Sequence, residues 1–267
     1  MCPILLKIPV PEFLQTLGFP AFLPIFGYGV MVALAFLLFC TLAGRRARAC
    51  GVSPAALQDI ALWSLLAGVL GARLMHRLLY PEAYFEALDF LRLYNGGLVL
   101  YGAFLTTPPV LLLLVRRHGL TLDTFLKIIA PPLPAAIGVG RFGCFLNGCC
   151  FGRPTDLSCG VRFPKGSVPE NYQGVPLHPT QLYACALGLI LSLALYAVSE
   201  TRPALSGKAL ALLFLLGYGG ARLIEEYFRG DTPRHFLNML TAGQATSLLF
   251  MALAALGLLM LKIQGGV

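Results

Sequence analysis

Charge is scarce in this chain. Only 12% of its 267 residues are Asp, Glu, Lys or Arg, and 57% are hydrophobic. A soluble domain carries about 25% charged residues. The deficit, a mean hydropathy of +0.77 and apolar runs of about 20 residues exclude an ordinary soluble enzyme. They imply an integral membrane protein, with length for one bundle of helices over residues 1–267 and little left for a soluble domain. Acidic residues are rarer still, 12 against 20 basic ones, for a formal net charge of +8. The basic residues are scattered among apolar spans, so a nucleic-acid partner is excluded. Their excess suits orientation of the chain in a bilayer and attraction to anionic headgroups. The opening stretch, MCPILLKIPVPEFLQTLGFP, lacks the charged and apolar regions and the cleavage site of a signal peptide. Its Pro3, Pro9 and Pro11 predict an irregular interfacial lead-in. Internal repeats and low-complexity tracts are also missing.

What is present is a series of seven apolar spans, at about 21–43, 56–80, 97–115, 121–148, 178–199, 209–228 and 241–263. They predict an all-α membrane protein of seven transmembrane helices. TTPP at 106–109 and PPLP at 131–134 are expected to interrupt the third and fourth spans. Prolines break helices, and breaks at membrane depth are tolerated where they line a cavity. Short loops set the orientation. Arg45, Arg46 and Arg48, Arg116 and Arg117, Arg202 and Lys208, and Lys262 all fall on one side of a seven-span chain, which is then cytoplasmic. The N-terminus lies outside and the C-terminus in the cytoplasm. The longest outer segment, 149–177, reads as a small extracytoplasmic cap with short strands.

Charges within the spans carry the functional signal. An ionised side chain at the centre of a membrane helix costs about 3 kcal/mol on insertion scales, so it usually faces a polar interior. In GYGGARLIEEYFRGD (217–231), Arg222, Glu226 and Arg229 fall at i, i+4 and i+7, with Tyr218 four residues earlier on the same stripe. In GARLMHRLLYP (71–81), Arg73 and His76 share a face. YNGGLVLYGAF (94–104) brings Gly97 at a close backbone approach, then Tyr101. HPTQLY (178–183) places His178 at a helix start, where a local structural hydrogen bond is the plainer role, and Gln181 one turn in. Arg73, Arg141 and Arg222 on three helices call for a planar anion, because guanidinium matches phosphate bidentately and stays charged when desolvated. The anion a membrane offers is a phospholipid headgroup. The sequence thus reads as a bundle with a phospholipid-binding polar cavity.

GRFGCFLNGCCFG (140–152) is the floor of that cavity. Gly140 and Gly143 are expected at close helix contacts, Arg141 on the phosphate, and Asn147 beside it. Cys144, Cys149, Cys150 and Cys159 cluster at the outer end of the fourth span, where oxidation is permitted, and a disulfide stapling the cap is one reading. Packing and a catalytic thiol are others. No metal site is expected, because the spacing is not that of paired C-x2-C knuckles and adjacent cysteines chelate badly. Cys2, Cys40, Cys50 and Cys185 read as small apolar core residues.

Taken in order, these segments resemble the prolipoprotein diacylglyceryl transferase family. IGVGRFGCFLNGCCFG is similar to its G-R-x-G-N-F-x-N-x-E-x-x-G signature. HPTQLY resembles H-P-[ST]-Q-L-Y-E, and YGGARLIEEYFRGD resembles Y-G-x-x-R-F-x-x-E-x-x-R-x-P-D. GGLVLYGAF is similar to G-G-x-x-F-H-G-G, GARLMH to G-x-R-x-x-Y, and PIFGYG and AGQATS fit its first and last helices. The resemblance implies an enzyme of the bacterial cytoplasmic (inner) membrane, multi-pass, active in lipoprotein biosynthesis. It moves the diacylglyceryl group of phosphatidylglycerol to the thiol of a lipobox cysteine in a preprolipoprotein. No cofactor is implied. The resemblance implies that Arg141 and Arg222 stabilise the phosphate leaving group and that Glu226 orients Arg222. Tyr28, Asn147 and Gly152 would shape the pocket.

Three family positions differ. Tyr101 stands at a histidine, Cys144 at an asparagine and Cys149 at a glutamate. A protein that kept the phosphate cavity but serves lipid binding or transport is therefore the second reading. His76 in turn stands at a family tyrosine, so the His and Tyr look exchanged. Imidazole titrates near pH 6.5 and phenol near 10, which makes His76 the expected base, with Tyr101 as its partner.

Overall fold

The computed structural model describes residues 4–15, 20–83, 90, 96–231, 234–236 and 240–263. Within the lead-in, residues 4–9 form a strand rather than an irregular stretch, and Pro3 lies outside the described residues. Strand β1 (Ile4–Pro9) pairs antiparallel with β2 (Phe22–Phe26), in a register that sets Ile8 opposite Leu23 and Pro9 opposite Phe22. In a two-stranded ribbon each strand has a free edge, which tolerates prolines that a central strand would reject. One helical turn, α1 (Glu12–Gln15), lies between them.

The long helices follow the apolar runs. They are α2 (Gly27–Ala49), α3 (Pro54–Leu79), α4 (Leu100–Arg117), α5 (Leu122–Ile129), α6 (Leu133–Asn147), α7 (Thr180–Thr201), α8 (Gly207–Phe228) and α9 (Ala242–Ile263). A two-residue strand β4 (Leu240–Thr241) leads into α9 and pairs with β3 (Arg234–Phe236). Among the described residues, five helices are long and apolar enough to cross a membrane, or six if α5 and α6 count as one bent span. The protein is an all-α membrane protein in this sense.

Two boundaries depart from the expectation. The first span starts six residues late, because 22–26 are strand. It then runs on through Arg46 and Arg48, whose cations suit the negative end of the helix dipole. And α4 is not interrupted at TTPP: Pro108 and Pro109 sit inside one helix. Contacts with α3 hold it across the missing donors. Gly71 and Gly102 bring the two backbones together, and the hydroxyls of Thr106 and Thr107 donate to Ala67 O (2.7 Å) and Ser64 O (3.5 Å). The break at PPLP is present, with α5 and α6 bent by 50°. The carbonyl of Pro131, freed there, accepts from the buried Ser192 hydroxyl at 2.7 Å.

The chain divides into two compact units, 40–125 and the remainder. In the first, α3 and α4 form an antiparallel pair. In the second, α6 packs on α7, and α8 on both α7 and α9. Gly138 sits against the Cys185 backbone and Gly188 against the Pro134 carbonyl, so small residues set these approaches. Gly143 meets Met31 and Tyr28 of α2, whereas a Cβ on Gly140 would meet open space, so no close helix approach depends on it. Segment 149–179 builds a core of its own from Phe151, Phe163, Val168 and Leu177. It carries isolated bridges, Gly152 to Arg229 and Leu177 to Pro154 and Val161, in place of the short strands expected there.

Candidate active site

The expected Arg–Glu stripe is a buried ion-pair network at the end of α8. Arg222 reaches Glu225 (Nη1 to Oε1, 2.7 Å) and Glu226 (Nη2 to Oε2, 2.9 Å). Arg141 of α6 shares Glu225, at 3.4 Å from the same Oε1. The two carboxylates are 3% and 4% exposed. Yet Arg222 Nη1, Glu225 Oε1 and Glu226 Oε2 lack a partner in hydrogen-bond alignment. These contacts are therefore ion pairs set off the hydrogen-bond line, with donor capacity on Arg222 Nη1 still unspent.

Glu226 is fixed from the far side. Thr241 donates to its Oε1 at 2.7 Å, and Gly243 packs on the carboxylate so closely that a Cβ there would lie 2.9 Å from it. Arg229 lies just past α8, as its C-cap, and still comes within 3.6 Å of Glu226 Oε2. It also binds Asp231 through two hydrogen bonds, 2.8 and 3.0 Å. Burial alone would lower the Arg229 pKa; the Asp231 hydrogen bonds and charge outweigh it and hold the group above its usual value. Tyr218 stacks on Phe214.

A polar cavity of about 310 Å³ opens beside this network, lined by Arg153, Tyr172, Glu226, Tyr227, Arg229, Gly230, Thr241 and Gln244. Arg153 lies over the Tyr227 ring, 4.9 Å from its centroid. Sequence reasoning passed over Arg153 and Thr241, and assigned Glu225 no site role. Glu225 had a signal, its i+3 spacing from Arg222. Arg153 had none, since its placement depends on the backbone ladder that joins Arg153 N to Phe228 O at 2.8 Å. Gly152 is confined in that ladder: a Cβ would strike His178 Cβ at 2.5 Å and Phe228 O at 2.9 Å. His178 itself contacts the Tyr183 hydroxyl (3.1 Å) and the Phe228 ring.

The cysteines bear on the same region. Gly148, left-handed at φ 79°, ends α6. Cys150 is left-handed too, at φ 59°, unlike any other described residue that is not glycine. The chain doubles back, and the sulfurs of Cys144, Cys149 and Cys150 lie within 4.8 Å of one another. Hydrogen bonding from the Cys144 and Cys150 thiols, aided by Asn147, holds the Cys149 thiol well below the ordinary thiol range. Tyr28 and Arg141 both lie within electrostatic reach of Cys144 and Cys150. Two fully buried side chains of α7 fix the turn: Thr180 donates to Cys150 O (2.6 Å) and Gln181 to Cys149 O (2.7 Å). Gln181 thus braces the backbone. All seven described cysteines are unbridged, and Cys159 stands apart, its thiol 3.4 Å from the Tyr183 hydroxyl.

Arg73, His76, Gly97 and Tyr101 belong to the other unit. Arg73 is buried, at 4% exposure, and gives its guanidinium to backbone carbonyls: Phe90 O and Gly97 O at 3.0 Å, and Gly96 O. Gly96 and Gly97 are both left-handed, and a Cβ on Gly97 would sit 2.7 Å from Arg73 and 2.9 Å from His76. Gly97 thus admits side chains rather than a second backbone, and Gly96 faces open space. His76 also packs on Tyr80, and Tyr101 is 74% exposed at the start of α4.

Known proteins match nearly the whole chain. A family model described as prolipoprotein diacylglyceryl transferase matches residues 17–260. Relatives named phosphatidylglycerol–prolipoprotein diacylglyceryl transferase include one from Bordetella avium, 37% identical over 231 residues, 84% of this chain and 83% of that protein. Another, from Nitrosomonas europaea, is 36% identical over 221 residues, 81% and 77% of the two chains. A third, from Clostridium tetani, is 32% identical over 227 residues, 85% and 89%. With a family match of that length and such relatives, the chain belongs to the prolipoprotein diacylglyceryl transferase family.

Proposed function

We propose that this protein transfers the diacylglyceryl group of phosphatidylglycerol to the thiol of a lipobox cysteine in a preprolipoprotein. The acceptor sulfur attacks the glycerol carbon that bears the phosphate, the C–O bond breaks, and glycerol phosphate departs with the bonding pair. The observation that carries this reading is the pair Arg141 and Arg222 sharing Glu225, with Arg222 Nη1 left free of an aligned hydrogen bond. Two guanidiniums held by buried carboxylates in an apolar bundle are preorganised for a phosphate whose charge grows as it leaves. Glu226 and Thr241 orient Arg222. Tyr28, Asn147, Gly152, Tyr218 and Arg229 shape the pocket, with His178 and Gln181 supporting its wall. The polar cavity at Arg153 and Arg229 suits the departing glycerol phosphate. His76 receives the acceptor-thiol proton, with Tyr101 as hydrogen-bonding partner. Arg73 and Gly97 keep their loop in place for the lipid headgroup.

The site works in a bacterial cytoplasmic membrane. The seven apolar runs and the one-sided Arg and Lys residues support seven spans, with the N-terminus outside, the C-terminus in the cytoplasm, and 149–177 as an extracytoplasmic cap on a single membrane domain. The test is complementation of a strain depleted of its own transferase, read by the mass of a reporter lipoprotein. Gain of one diacylglyceryl unit is expected. A reporter that keeps its unmodified mass, with the protein present in the membrane, overturns the reading in favour of a lipid-binding or transport role.

A further inference from the structure

We infer that Cys144, Cys149 and Cys150 form a three-thiolate site for a zinc ion, open at its fourth position to the acceptor thiol. The inference rests on the transferase reading for the identity of that thiol and on the geometry of the turn for the metal.

The geometry is that of a built site. Adjacent side chains ordinarily diverge, which is why a Cys–Cys pair is a poor chelator. Here the left-handed Cys150 reverses the chain and brings both thiols over Cys144, within a 4.8 Å span. A non-glycine residue held in this conformation persists only where its surroundings fix it. They do: buried Thr180 and Gln181 clamp the carbonyls of Cys150 and Cys149, and Gly148 supplies the preceding left-handed turn. Zinc–thiolate bonds of about 2.3 Å require sulfurs roughly 4 Å apart, so closure on the ion needs a shift of about 1 Å or less. The carbonyl clamps stand as the outer support that metal sites rely on.

The donor set selects the ion. Three thiolates and no carboxylate suit a soft or borderline cation such as zinc. Zinc takes four ligands, and catalytic zinc keeps three from the protein and leaves one place open. Three thiolates around a dication carry one net negative charge, which the neighbouring Arg141 balances.

That open place fits the chemistry. A thiol that coordinates zinc is bound as thiolate. The acceptor cysteine would give up its proton on binding, to a base or to water. Its sulfur, still nucleophilic, attacks the glycerol carbon; the S–C bond forms as the C–O bond breaks, and the electron pair leaves on the phosphate held by Arg141 and Arg222. The product is a neutral thioether, a far weaker ligand than thiolate, so the lipidated chain detaches and the site reopens. Oxidation states are unchanged throughout.

Cobalt(II) is the spectroscopic probe. The full chain, purified in detergent under reductant and stripped with chelator, should take up one cobalt or zinc ion and show a thiolate-to-cobalt charge-transfer band. Cys144→Ser, Cys149→Ser and Cys150→Ser should each weaken uptake at least tenfold, whereas Cys40→Ser and Cys185→Ser should not. Adding a peptide with a single cysteine in an apolar lipobox-like stretch should raise the band by about a third, as the fourth thiolate enters; its Cys→Ser version should leave it unchanged. The inference is overturned by ion uptake that the triple serine variant retains, by absence of uptake, by a peptide that does not alter the band, or by a disulfide among 144, 149 and 150 found by alkylation before reduction. Transfer activity separates the two readings. Activity that survives chelation and all three substitutions removes the zinc site and leaves the transferase. A zinc site that binds the peptide thiol in a protein unable to modify a lipoprotein removes the transferase and leaves the site.

Discussion

Arg222 and Arg73 both lie on long apolar helices, Arg73 buried and Arg222 with 17% of its side chain exposed, and they serve opposite ends. Arg222 faces two carboxylates, in contacts too skewed to use its donors fully. Arg73 faces the carbonyls of Phe90, Gly96 and Gly97. Carbonyls that accept from a guanidinium cannot leave without becoming unsatisfied, so Arg73 is committed to the loop. Carboxylates hold a guanidinium by charge, and they leave its remaining N–H groups for a phosphate. Burial of an arginine is thus a weak sign of anion binding, and the partner it keeps is a strong one.

The sharpest way to break this comparison is truncation. Arg222→Ala and Arg141→Ala should each lower transfer by about 10²–10³-fold, about 3–4 kcal/mol of transition-state stabilisation, with the protein still inserted and monodisperse. The measure is kcat on phosphatidylglycerol and a cysteine peptide. Near-normal turnover by either variant would remove the phosphate clamp. His76→Phe should cost about 10²-fold, as expected for a lost general base, and the loss should shrink toward alkaline pH as thiolate forms unaided. The double exchange His76→Tyr with Tyr101→His should recover activity that either single change loses. Full activity of His76→Phe from pH 6 to 9 would place the base elsewhere.

Arg73→Ala should act differently again. It strands loop carbonyls, each worth about 1–3 kcal/mol when buried and unsatisfied, so melting temperature should fall while turnover per folded molecule changes only a few-fold. A normal melting point with lost turnover would put Arg73 on the substrate.

These differences mark where the sequence was readable. Helix spans were legible because a bilayer demands long apolar runs, and the Arg222–Glu226 pair because helices place i and i+4 together. The β1–β2 ribbon was not, since prolines mask strand patterns at edges. Continuity of α4 through Pro108 and Pro109 was hidden because it depends on α3, not on local propensity. The partners of Arg73 were invisible for the same reason: a hydrogen bond to a carbonyl leaves no residue type to read. The convergence of Cys144, Cys149 and Cys150 turns on one left-handed φ at a cysteine, which no spacing rule anticipates.

The smallest expected effect is at Thr241, and it sharpens the comparison furthest. Thr241-Ala-Gly-Gln244 is a capping box for α9: Gln244 N donates to the Thr241 hydroxyl at 3.1 Å, and Thr241 N donates to Gln244 Oε1 at 3.1 Å. The same hydroxyl donates its own proton to Glu226. One oxygen therefore ties the start of a helix to the carboxylate that orients Arg222. Thr241→Val removes both links and should cost about 1 kcal/mol of stability together with a few-fold fall in kcat. Gln244→Ala breaks the box but leaves the hydroxyl on Glu226, so it should lower stability by a similar amount and spare kcat. Thr241→Ser keeps both and should match the parent in each measure. If Gln244→Ala and Thr241→Val depress kcat equally, Glu226 is not oriented through Thr241, and Arg222 is held by its own helix alone.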